Sequence, residues 1–134
     1  MTMEHVQPAG LFKAEGFSQV VVGSGRRLAF IAGQGAFDAQ FNLIGRGDHF
    51  AQTLQAFRNL ATALEALGAK PEQVVSSTMY VVGLTPATLE RFTSAMGQAL
   101  DGRPFPPNAA SLIGVERLAH PDMLVEISAV ALLD

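Results

Sequence analysis

Cysteine and tryptophan are missing from this 134-residue chain, tyrosine occurs once, and charged residues make up only 16%. Without cysteine there is no disulfide and no thiolate nucleophile or metal ligand, so the redox compartment leaves no mark on the sequence. Positive charge is also scarce: nine Lys and Arg stand against twelve Asp and Glu, the net charge is −3, and no basic run is longer than Arg26-Arg27. A nucleic acid or an anionic membrane surface finds no electrostatic footprint here. No apolar run approaches the roughly 20 residues of a membrane-spanning helix, and Met1-Thr2-Met3-Glu4-His5 carries no basic segment followed by an apolar one. These absences predict a cytoplasmic protein with no nucleic-acid or membrane partner.

What is present is apolar. Hydrophobic residues reach 49%, which is much for a small monomer that must cover its own surface. The length suits one domain with one core, and the excess of apolar residues predicts surface reserved for other subunits.

Residues 1–15, punctuated by Pro8 and Gly10, read as an irregular arm before a domain spanning 16–134. Phe17 to Val22 reads as a strand, Gly23-Ser24-Gly25 turns the chain, and Arg27 to Ala32 returns as its hairpin partner. Asp48 is placed to cap a helix whose apolar residues Phe50, Leu54, Phe57, Ala61, Leu64 and Leu67 recur every three or four positions, with Gly68 as its left-handed stop. Val74 to Val82 is rich in β-branched residues and reads as a strand. Thr85-Pro86 opens a second helix running through Leu89, Phe92, Ala95, Met96 and Leu100 to a stop at Gly102. After the stiff Arg103-Pro104-Phe105-Pro106-Pro107 linker come two strands, Ala109–Val115 and Leu124–Leu132. The order ββαβαββ predicts an α+β domain with two helices on one face of a mixed sheet. Since the strands read as apolar on both sides, copies of the same domain are expected to cover the other face in a closed symmetric oligomer.

Glu126 breaks the pattern of the last strand. It shares a strand face with Leu124, Ser128, Val130 and Leu132, which offer a carboxylate almost nothing, and an unpaired buried charge costs several kcal/mol. Either a partner reaches it from elsewhere or it lies at an opening used for chemistry. Other motifs point nowhere. His5, His49 and His120 lack metal-ligand spacing; Gly23-Ser24-Gly25 does not open a helix as a phosphate loop would; Arg46-Gly47-Asp48 is a loop glycine before a cap; Ser111 has no histidine close in sequence. No metal or other cofactor is predicted.

Taken together, Gly16-Phe17-Ser18-Gln19-Val20, Phe30-Ile31-Ala32-Gly33-Gln34, Gln52 to Gly68, Val74 to Val82, Asn108 to Val115 and Leu124 to Ala131 resemble the Rid family of reactive-intermediate deaminases, also called YjgF or L-PSP. The resemblance covers residues 16–132. It implies a chorismate-mutase-like fold, a homotrimer with clefts between subunits, and hydrolysis of reactive imino or enamine acids; some members have been labelled endoribonucleases. It places the glutamate that positions the attacking water at Glu126, and the arginine that grips the substrate carboxylate at Ala110, followed by Ser111. Phe17 stands where deaminase members have Tyr, Ala32 replaces a serine before Gly33, and the family's helix asparagine falls near Glu90. The resemblance therefore implies a general base, Glu126, in a pocket lined by Phe17, Ala32, Ala110 and Leu112, with Gly33 positioning a small-molecule ligand. Standard 2-imino-acid deamination is expected to be weak or absent unless Arg103 or Arg117 replaces the missing guanidinium.

Overall fold

The computed structural model describes residues 1–134. Its elements are β1 (Thr2–Val6), β2 (Val20–Ser24), β3 (Arg27–Gln34), α1 (His49–Ala66), β4 (Val74–Val82), α2 (Pro86–Met96), β5 (Ala109–Val115) and β6 (Val125–Leu133). A mixed four-stranded sheet runs β3-β6-β4-β5, with β4 and β5 parallel and β6 antiparallel to both its neighbours. The most apolar strand of the sequence thus takes a central place, where ladders on both sides satisfy its backbone.

Local chemistry sets the helices. Asp48, in extended backbone, accepts the Ala51 N–H at 3.1 Å and starts α1; Gly68 at φ +67° lies in the left-handed region that ends it. Thr85 and Thr88 bond reciprocally at the start of α2, with Pro86 at the first position. The buried stripe of α1 carries Phe57, Leu60 and Leu64 and meets Phe92, Met79, Val125 and Ile127 in one cluster. Each such side chain contributes about 1.5–3 kcal/mol by leaving water. The two helices lie side by side and close one sheet face, as expected.

Four local readings change. The arm is ordered at its start, because Thr2–Val6 forms β1 and pairs antiparallel with β2. Consequently β2 is not the hairpin partner of β3: it belongs to a separate two-stranded sheet, and β3 pairs with β6. The turn explains this, since Arg26 N–H donates to Leu133 O at 3.1 Å and a Cβ on Gly25 would lie 2.6 Å from that same oxygen, pinning the chain to the end of β6. The second helix stops at Met96 with Gly97 as its cap, not at Gly102, and the following residues fold back through a Leu100–Arg103 bridge. Finally β6 is buried along one face, and on the other only at Leu132, against which Gly23 and Gly25 pack; Glu126, Ser128 and Val130 face away from the helices and are half-buried.

Candidate functional site

Glu126 stands on the helix-free face, directly opposite Tyr80 of β4. Its carboxyl group lies over Gly33, where a Cβ would come within 2.6 Å of the carboxyl carbon and of one oxygen. Any side chain at position 33 would push the carboxylate out of this place. The chain's two ion pairs, Met1 with Asp134 and Arg46 with Asp122, do not involve Glu126, and no buried polar side-chain atom is left without a partner. The carboxylate oxygens, which make no side-chain hydrogen bond, therefore keep contact with solvent.

Two amides of α1 hold this corner in place. Gln52, fully buried, donates to Gly45 O and Asp122 O and accepts the Leu124 N–H at 2.8 Å, fixing the chain two residues before Glu126. One helical face further along, Asn59 donates to Gly35 O at 2.8 Å and Phe37 O at 2.9 Å, fixing the chain just after Gly33. Both flanks of the carboxylate are thus anchored to one rigid helix. Sequence reasoning missed these two positioning residues, although two amides seven apart in a helix with an apolar stripe were the available signal.

Beyond the end of β3 stands an aromatic group. The Phe37 ring lies 3.2 Å from where Gly35 would carry a Cβ; it stacks on Phe41 at 4.5 Å between centroids, and His120 meets both rings edge-on. Phe41 is 70% exposed and sits at φ +64°, a left-handed conformation that costs a non-glycine residue about 1 kcal/mol or more. The turn that presents it is tied by Asp38, whose carboxylate accepts the N–H groups of Gln40 and Asn42, both at 2.9 Å. The Asn42 backbone bond, with smaller help from its side-chain amide and from Gln40, holds the Asp38 carboxyl below the usual carboxylate range against a desolvation that pushes the other way.

The remaining predicted site residues lie elsewhere. Phe17, Ala110, Ser111 and Leu112 line an apolar cavity of about 370 Å³ between β5 and α2, closed from the helix side by Phe92 and Met96. β5 is one edge of the sheet and β3 the other. Within one chain, then, Glu126 with Ala32 and Gly33 occupies the β3–β6 side, and the Phe17–Ala110 group the opposite edge. Glu90 does not line the cavity; it is exposed in a shallow depression with Phe50 and Arg91, whereas Thr93 is the polar residue that α2 turns toward Ala110. Of the arginines considered as substitutes, Arg103 and Arg117 are both exposed and neither pairs with Glu126. No three His, Asp or Glu side chains converge as a metal site would need.

The sequence model of the Endoribonuclease L-PSP family matches residues 9–133. The chain belongs to that family, the Rid/YjgF proteins. A RutC family protein of Synechocystis sp. is 33% identical over 99% of this chain and 98% of its own length. Among solved structures, a Rid-family protein of unknown function from Yersinia pestis is 38% identical over 99% of this chain and all of its own, with a TM-score of 0.90. A member of the YjgF/YER057c/UK114 family from Mycobacterium tuberculosis is 26% identical over 98% of this chain, with a TM-score of 0.61. No helix of this Rid protein is long and apolar enough to cross a membrane.

Proposed function

We propose that this Rid protein assembles as a homotrimer and hydrolyses a small imine or enamine in clefts formed between protomers, with Glu126 as the general base on water. The observation that carries the reading is the Glu126 carboxylate itself: half-buried over Gly33, unpaired, anchored on both flanks by Gln52 and Asn59, and still open to solvent. A base held in reach of water needs these properties. Assembly is supported by the apolar residues left on the helix-free face, of which Phe30 is 77% and Leu28 56% exposed. The split between the two edges supports it too. A head-to-tail contact that lays the β5 edge of one copy against the β3 side of the next joins Phe17, Ala110, Ser111 and Leu112 of one chain to Glu126, Ala32 and Gly33 of its neighbour, and it closes into a three-membered ring when its rotation is a third of a turn. Gly33 and adjoining backbone position the ligand, and the apolar residues opposite hold its body.

Replacing Glu126 with Gln tests the chemistry: keto-product release from imines generated in situ is expected to fall at least about a hundredfold, with the assembly mass unchanged. Full activity in that variant would remove Glu126 from the mechanism. The absence of three polar anchors, with Phe17, Ala32 and Ala110 in their places, supports a second reading, a trimer that binds a metabolite without transforming it. An unreacted ligand seen in contact with Glu126 would favour that reading. Ribonuclease activity, which the family model's description names, has little support in a chain of net charge −3 without a basic cluster.

A further inference from the structure

Summing the charges around the two halves of the site gives an unbalanced result. On the Glu126 side stand one carboxylate, the glycines Gly33 and Gly35, and the Phe37–Phe41–His120 group. His120 accepts the Asp122 N–H at Nδ1 (3.1 Å), which leaves the proton of the neutral ring on Nε2. Arg46, the guanidinium near this end of the sheet, is already paired with Asp122. On the other side, the cavity holding Ala110 has no charged side chain in its lining. The depression beyond Phe17 adds Lys13, but together with Glu15 and Glu72. Glu126 thus has no ion-pair partner in the chain, and the one cation of the other half, Lys13, shares its depression with two glutamates.

Building on the function proposed above, we infer that the ligand brings the positive charge: the substrate class is a protonated imine lacking a carboxylate, as formed by oxidation of a simple amine rather than of an amino acid. An iminium nitrogen set against the carboxylate is held by charge and by a charge-assisted hydrogen bond, while the hydrocarbon body fills the apolar cavity of the neighbouring copy. An anionic imino acid meets Glu126 with like charge and finds alanine where a guanidinium would answer it. The chemistry balances without a co-reactant. Water adds to the iminium carbon as Glu126 takes its proton, and the C=N electron pair moves to nitrogen. Glu126 returns the proton to that nitrogen; the hydroxyl oxygen's lone pair then forms the C=O bond as the C–N bond breaks, Glu126 passes the hydroxyl proton to the departing ammonia, and a ketone or aldehyde leaves with ammonium.

The test is isothermal titration of the assembled protein with two cyclohexyl probes of opposite charge, cyclohexylammonium and cyclohexanecarboxylate. The cation is expected to bind at least about tenfold more tightly than the anion, the preference to vanish in Glu126→Gln, and Ala110→Arg to reverse it. Equal binding of the two probes, preference for the anion, or no binding of either would overturn the inference. If the anion is preferred while Glu126→Gln still abolishes imine hydrolysis, the substrate class falls and the catalytic reading stands. Cation preference without hydrolysis of any imine supports the class and removes the catalysis.

Discussion

The two faces of β6 differ in what holds them. Toward the helices, Val125, Ile127, Ala129 and Ala131 are buried against Phe57, Leu60 and Phe92; on alternate positions, Glu126, Ser128 and Val130 share the opposite face with Phe30, Thr78 and Tyr80 and stay half-open. Period-two alternation gives one strand two duties. The covered face stabilises the protomer by burial. The open face carries the carboxylate and leaves apolar area for a neighbour, so chemistry and assembly are placed where changes cost the fold little.

That division can be broken by substitution. Phe57→Ala on the covered face is expected to cost about 3–5 kcal/mol in thermal or denaturant unfolding. Gln52→Leu comes next, at about 2–3 kcal/mol, because Gly45 O, Asp122 O and the Leu124 N–H lose their partner in a buried place; since it frees the chain leading to Glu126, imine turnover should fall more than the lost stability alone explains. Phe30→Asp on the open face is expected to leave protomer unfolding within about 0.5 kcal/mol of the parent while light scattering shows the assembly dissociating to the 14.2 kDa chain. An unfolding cost as large as that of Phe57→Ala would mean that Phe30 belongs to the protomer's own core. The smallest effect concerns Asp38. Its folded-state carboxyl titrates below the ordinary value of 3.8, so the order it gives the turn is present above that value and lost as pH falls through the depressed one. Amide exchange at Asn42 should therefore accelerate only in strong acid, and acceleration already near neutrality would contradict the assigned bonds.

Much of this was legible in the residues. Glu126 stood out because one charged residue interrupted an apolar strand, and the caps at Asp48, Gly68 and Thr85 lay where their side chains or glycine demanded them. Thr2–Val6 was missed because its side chains show no period and its strand character comes from pairing with β2. The β2–β3 hairpin was misread since Gly23-Ser24-Gly25 is a local turn signal, whereas pairing was decided by the distant Leu133 carbonyl. Glu90 was placed by the family resemblance, whereas the α2 residue that lines the cavity with Ala110 is Thr93. The separation of the predicted site into two groups could not be read at all, because it depends on which strands are sheet edges.

A site shared between copies is open to subunit mixing. Glu126→Gln and Phe17→Asp damage opposite walls, so each variant alone is expected to be inactive in imine hydrolysis. After equal amounts are unfolded and reassembled together, about a quarter of the clefts regain both intact walls and that share of activity returns. If the mixture stays as inactive as its parents while wild-type protein treated identically recovers, the two walls do not meet across a subunit boundary and the shared cleft is wrong.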